Sequence, residues 1–232
     1  MIVPRLATLA GAGAILIWAT LALLTRMAAT VPPLQITTLS FSVSAVLGLP
    51  LLAWRGELSV LRQPARAWLH GVGGLFGYHA LYFAALGLAP VAEANLLNYT
   101  WPLLIVMFSS MLLGMRLSRS HWAGLLLGTT GCALLLAHSV QFGVAGRAIL
   151  GYVFAVGAGI AWALYSVFSR NFSAVPTGAL VRFRTATAGL AGIAHLVFER
   201  NPTPDTQAWL AIGAMGTGPG GAAFFLWDMG VR

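Results

Sequence analysis

Ile15-Leu-Ile-Trp18-Ala-Thr-Leu-Ala-Leu-Leu-Thr-Arg26 returns 144 residues later as Gly159-Ile-Ala-Trp162-Ala-Leu-Tyr-Ser-Val-Phe-Ser-Arg170. Trp18-Ala matches Trp162-Ala, Thr25 matches Ser169, and Arg26 matches Arg170. Each copy lies in an apolar run of about 20 residues, the length that carries a helix across the roughly 30 Å hydrocarbon core of a bilayer. At least seven such runs follow one another, and nearly all the charge sits in the short loops between them. One such run is compatible with a buried core helix. A chain of them reads as an all-α polytopic membrane protein.

Composition agrees. Hydrophobic residues make up 59% of the chain and charged residues 8%, against about 25% charged in globular domains. All 13 basic residues are Arg, and the net charge is +8. These arginines are spread over the loops rather than gathered into a patch, which argues against nucleic-acid binding and fits basic loops that hold a cytoplasmic face. The single cysteine, Cys132, lies in an apolar run, permits no intramolecular disulfide, and reads as a small packed side chain. The five histidines, at 70, 79, 121, 138 and 195, are scattered, and no Cys/His cluster has metal-ligand spacing. The expectation is therefore no metal and no cofactor. No paired carboxylates for metal-phosphate chemistry, Ser/His/Asp set or His-Glu-x-x-His motif is present, so an enzyme is not expected.

Eight helices are placed at about 6–28, 34–54, 67–88, 90–113, 119–138, 148–170, 177–198 and 208–231. Pro32-Pro33, Gly56, Pro64, Gly114, Pro176 and Pro202/Pro204 punctuate the connections. The apolar run from Leu6 to Leu24 is too long for the hydrophobic core of a signal peptide, and Arg26 stands where small residues precede cleavage. It reads as a retained first span. With the N-terminus inside, Arg5, Arg55, Arg62, Arg66, Arg116, Arg119, Arg170 and Arg232 are cytoplasmic, whereas Arg26, Arg147 and Arg200 are outside. That balance supports a cytoplasmic N-terminus. Arg182 and Arg184, in the first turns of helix seven, are read as interface anchors whose stems snorkel to the headgroups, with a substrate role as the alternative.

The two Trp-centred copies are separated by five helices, an odd number, so the second copy lies upside down relative to the first. A weaker echo joins Tyr82-Phe-Ala-Ala-Leu-Gly87 to Phe225-Leu-Trp-Asp-Met-Gly230. The pattern is an inverted repeat, the arrangement in which transporters bind substrate near the midplane. Residues 1–140 form the first five-helix repeat and 147–232 the second, which stops after its third helix. A complete bundle would have five plus five helices, about eight of them in this chain; two more, roughly 50–60 residues, would finish it on the repeat logic.

Helical spacing then groups the polar and aromatic residues. Tyr78, His79, Tyr82 and Leu86 share a face of helix three. Asn95, Asn98, Tyr99 and Pro102 share one on helix four, with Trp101 alongside. Trp162, Tyr165, Ser166 and Ser169 line up on helix six, and helix eight adds Phe224, Trp227 and Asp228. Trp18, Tyr82, Tyr99, Trp101 and Trp162 lie too deep for the aromatic belt at the headgroups. Core packing alone would suit Phe; Tyr and Trp each need a polar partner when buried. A partly wet cavity is therefore expected, with Trp18, Tyr78, His79, Tyr82, Asn98, Tyr99, Trp101, Trp162, Tyr165 and Trp227 as substrate-binding candidates. Pro102 removes a backbone hydrogen bond in mid-helix, and Gly216-Thr-Gly-Pro219-Gly-Gly221 is a second weak point. Pro102 and Pro219 are the gating candidates, since broken helices point to transport sites. Gly73/Gly77, Gly124/Gly128 and Gly216/Gly220 also have the spacing of close helix packing. Glu93 and Asp228 are candidates for proton coupling; stabilising the helix dipole fits Glu93 equally well.

The segments Ala80-Leu-Tyr-Phe-Ala-Ala-Leu-Gly-Leu-Ala-Pro90 and Ala94-Asn-Leu-Leu-Asn-Tyr-Thr-Trp-Pro-Leu103 resemble the EamA-type, ten-helix branch of the drug/metabolite transporter superfamily. Asn98-Tyr-Thr-Trp-Pro102 and Trp227-Asp-Met-Gly230 are most similar to elements of its bacterial aromatic amino-acid exporters. Two positions depart from the pattern. Met115 follows Gly114 where an acidic residue is usual, and Asp228 stands where the exporters tend to carry Asn. The resemblance implies a multi-pass bacterial inner-membrane exporter of aromatic or other bulky neutral amino acids, working by alternating access. Its partners would be a small-molecule substrate and the lipid bilayer. Export of another small metabolite or drug on the same fold is the alternative.

Overall fold

The computed structural model describes residues 4–139 and 146–231. Residues 140–145, where the junction between repeats is expected, Arg232, and the side chains of Cys132, His138 and Arg147 lie outside the described residues. Among the described residues every regular element is helical: α1 (Pro4–Ala19), α2 (Leu21–Met27), α3 (Pro33–Trp54), α4 (Ala65–Leu88), α5 (Val91–Asn98), α6 (Trp101–Leu113), α7 (Arg119–Ser139), α8 (Gly146–Phe168), α9 (Leu180–Phe198), α10 (Thr206–Thr217) and α11 (Ala223–Val231). Lipid offers no partner for backbone polar groups, so an apolar chain must satisfy them within its own helices.

Grouped by stretch, these helices occupy the eight expected places. Among the described residues six stretches are long and apolar enough to cross a membrane: Arg5–Met27, Pro33–Trp54, Ala65–Leu88, Val91–Leu113, Ala148–Phe172 and Thr206–Val231. The sequence reading counted eight; α7 and α9 are not in this set. In α9, Arg182, Arg184, His195 and two threonines dilute the apolar character.

Three stretches are broken. At Thr20 both the hydroxyl and the backbone N–H donate to Ile17 O, at 2.7 and 3.1 Å, which tightens the turn and ends α1. Between α5 and α6 the cause is Pro102, which has no N–H for the Asn98 carbonyl. Between α10 and α11 a π-helical segment, Gly218–Ala222, contains Pro219. The last two breaks fall where the sequence places its weak points.

The chain forms two compact units, one from Met1–Phe76 with Phe168–Arg232, the other from Gly77–Val167. Each unit draws helices from both the earlier and the later part of the chain. In the first, α3 runs along α9, α10 packs on α3, and α1 packs on α11. Lipid tails are as apolar as Leu, so helices associate by close backbone approach rather than by escaping water. A Cβ on Gly216 would lie 2.5 Å from Ser40 O, and one on Gly48 would lie 2.8 Å from Val181. Val31, Ile36, Ile212 and Met215 fill the adjoining core. Pro32 and Pro33 leave α3 without a side-chain cap of its own. Glu199 supplies one from the end of α9: its carboxylate accepts from Leu34 N at 3.0 Å and Gln35 N at 3.2 Å. His195 Nδ1 lies 2.9 Å from the same carboxylate, so His195 is a structural residue of this cap.

In the second unit, Ala85, Ala89, Ala94 and Ala155 form a small-residue core. A Cβ on Gly128 would meet Leu103 of α6 at 2.8 Å, so this glycine does serve close packing. Gly77 and Gly124 have open space around them, and Gly73, in the first unit, meets only its own helix, so the contact expected at Gly73/Gly77 is not made among the described residues and that at Gly124/Gly128 is made at Gly128 alone. Gly114 ends α6 in the left-handed conformation at φ 67°, a cap that glycine adopts without strain.

Candidate functional site

Each unit holds an aromatic cluster built on one of the two matching tryptophans. In the second unit the Tyr78 and Tyr82 rings stack at 5.7 Å with 6° between planes, as their spacing of four on α4 requires. His79 meets the edge of Tyr78 at 5.0 Å. From α8, Trp162 approaches Tyr78 at 5.2 Å and is backed by Tyr165 at 5.3 Å. Trp162 and Tyr165 are both buried.

The break between α5 and α6 feeds polar groups into this cluster. Tyr82 OH donates to Asn95 Oδ1, and Asn98 Nδ2 donates to Tyr78 OH at 3.3 Å. The carbonyl of Asn98, left without its helical donor, faces Gly159 of α8, where a Cβ would come within 3.1 Å. Asn98 itself is only 3% exposed. Among the described residues its Oδ1 is buried without a hydrogen-bond partner. A buried polar atom in that state costs free energy, about 1–3 kcal/mol, until something donates to it. The arrangement combines stacked rings with one buried acceptor that has no donor among the described residues.

In the first unit, Trp18 meets Phe224 edge-on at 5.6 Å and Trp227 at 5.4 Å, and Phe41 closes the group against Phe224 at 5.8 Å. Trp18 Nε1 donates to Pro219 O at 3.0 Å. Arg184 lies in the same unit, fully buried, and its Nη1 donates to Gly220 O at 2.7 Å and Gly221 O at 2.9 Å. The snorkelling expected of Arg184 is therefore wrong. The π segment presents carbonyls that need donors inside the protein, and the guanidinium turns inward to meet them. Arg182 is exposed; it donates to Leu61 O at 2.6 Å and lies 4.7 Å above the Trp68 ring.

The remaining candidates are placed as follows. Tyr99, at the end of α5, is 59% exposed, although its N–H still donates to Asn95 O at 2.8 Å. Trp101 is half-buried at the start of α6, followed by an exposed Pro102. Pro219 is buried in the π segment. Asp228 is buried and its Oδ2 accepts from Thr177 Oγ1 at 2.7 Å, tying α11 to the turn before α9. Glu93 is in the first turn of α5, its Oε2 buried without a partner among the described residues. The Ser169 hydroxyl lies 3.2 Å from His70 Nε2, and His70 stacks on Phe172.

Sequence reasoning missed Arg184. The signal was available: a Gly-Pro-Gly-Gly run in an apolar span must leave carbonyls unpaired, and an arginine within an apolar helix is the donor suited to them.

Comparison with known proteins adds the family. The sequence profile of the EamA-like transporter family matches residues 5–137 and 149–232. The chain is 48% identical over 228 residues to the aromatic amino acid exporter YddG of Ancylobacter novellus, covering 97% of this chain and 79% of that protein. It is 30% identical over 145 residues to the pseudopaline exporter CntI of Pseudomonas aeruginosa, covering 60% of this chain and 50% of that one. A solved crystal structure superposes with a TM-score of 0.88 at 48% identity, over 97% of this chain and 79% of its own.

Proposed function

The chain belongs to the EamA-like transporter family, and on that premise we propose that it exports aromatic or other bulky neutral amino acids across the bacterial inner membrane by alternating access. The observation that carries the substrate class is the Tyr78/Tyr82/Trp162/Tyr165 cluster with the open acceptor of Asn98. An amino-acid ammonium donates to Asn98 Oδ1 and lies against a ring face, a cation–π contact worth about 0.5–2 kcal/mol. An aromatic side chain stacks on the remaining rings, adding about 0.5–1.5 kcal/mol per pair beyond area burial.

In this reading the breaks at Pro102 and Pro219 are the gates, at the ends of short helices that turn without unravelling a whole span. The arginine balance supports a cytoplasmic N-terminus. Glu93 and Asp228 are the carboxylates available for proton coupling. Glu93 is the better placed, since Asp228 is occupied by Thr177.

The test is counterflow of labelled Phe, Trp and Thr in proteoliposomes, with and without a pH gradient. Phe and Trp exchange faster than Thr, and Trp162→Ala and Asn98→Ala abolish the exchange while the protein still inserts. Equal rates for all three amino acids, or exchange unaffected by both variants, overturn the assignment. The resemblance to a pseudopaline exporter favours a second reading, a larger metabolite; competition between that class and Phe separates the two.

A further inference from the structure

Three successive carbonyls in the π segment are held by side chains from two other helices. Pro219 O accepts from Trp18 of α1, and Gly220 O and Gly221 O accept from Arg184 of α9. Arg184 Nε also donates to Leu180 O in its own helix at 3.3 Å, and its guanidinium lies 4.6 Å above the Phe225 ring. A fully buried guanidinium persists only where it is well hydrogen-bonded, because its desolvation is expensive. Here those bonds converge on the one segment of the span that departs from α-helix.

We propose that Arg184 and Trp18 form a two-pronged clamp that fixes the π segment at Gly218–Ala222, and that Arg184 is thereby a positioning residue for transport. A π segment is a register choice: moving it along the span re-aims each side chain it passes by about 100°, one residue of helical turn. With the clamp closed, Phe224 and Trp227 face Trp18. With it open, the segment is free to shift and those rings leave. The π segments of α-helices frequently mark functional sites, and the clamp gives this one a residue that sets its position. What the clamp serves rests on the transport reading above; its existence has a separate readout.

The experiment combines hydrogen exchange at the amides of residues 217–224 with transport, using the full chain in proteoliposomes. Arg184→Gln raises exchange in this segment about 10- to 100-fold, as loss of charge-assisted bonds implies, and leaves α3 protected. It lowers the maximal transport rate with the half-saturating concentration unchanged. Arg184→Lys, which keeps a charged donor, restores part of both. Trp18→Phe keeps the ring contacts, loses only the indole N–H, and raises exchange in the same segment about fivefold. If Arg184→Gln does not insert, Arg184→Lys and Trp18→Phe carry the test. Unchanged exchange at 217–224 in both, or loss of protection spread evenly over the first unit, overturns the clamp. Elevated exchange in a protein whose wild type moves no amino acid leaves the clamp standing and removes the transport reading instead.

Discussion

Trp18 and Trp162 hold the same place in a repeated stretch, yet their surroundings differ. Trp18 is half-buried and its indole N–H is committed to Pro219 O, beside an arginine committed to the next two carbonyls. Trp162 is buried among tyrosines that gather two asparagines, one of which keeps an open acceptor. Both helix breaks, at Pro102 and at Pro219, release backbone carbonyls. In the first unit side-chain donors meet three of them. In the second, glycine at 159 brings α8 up to the Asn98 carbonyl, and the acceptor left over is a side-chain amide. The two similar stretches thus differ in which donors the neighbouring helices carry: enough to meet the freed carbonyls in the first unit and, among the described residues, one donor short in the second.

The sharpest way to break this contrast is at the packing that holds the first unit together. Gly216→Leu places a side chain where a Cβ already meets Ser40 O, so it costs about 3 kcal/mol or more and the yield of folded protein collapses. Thermal unfolding in detergent checks it, and wild-type stability in this variant would remove the close approach of α10 to α3. Next in size, Asn98→Ala weakens amino-acid binding about 10- to 100-fold, the range for a hydrogen bond to a charged group. Calorimetric titration reads the affinity; a loss of melting temperature without a loss of affinity would make the second cluster structural rather than substrate-binding.

A smaller effect separates the two polar ties of the second cluster. Tyr82→Phe removes the bond to Asn95 and lowers stability by about 1 kcal/mol, while the half-saturating substrate concentration changes less than it does in Asn98→Ala. Equal effects would merge the two asparagines into one role. The smallest change is Gly77→Ala. No atom lies within reach of the added methyl, so the variant gains up to about 1 kcal/mol from helix propensity, seen as a raised melting temperature with transport unchanged. Destabilisation there would reveal a helix contact at Gly77 like the one at Gly216.

Much of this was legible in the chain. The eight helical stretches, the breaks at Pro102 and in Gly216–Gly221, and the stacking of Tyr78 on Tyr82 follow from residues close in sequence. The exposure of Tyr99 was not legible, because helical spacing groups residues on one face without saying what packs against each of them. Nor was the division into units, in which α4 and α8 each contribute to both.

What the sequence determined alone is the class, the eight helical stretches and two of the three points of fracture. In lipid each backbone group must find its partner within the helix, so apolar length and the positions of proline and glycine translate directly into structure. What only the tertiary structure decided is how the fractures are repaired: Arg184 reaches carbonyls 36 and 37 residues away, and Trp18 one 201 residues away. No local pattern encodes those pairings, because a freed carbonyl accepts from whichever donor the packing of distant helices brings within reach.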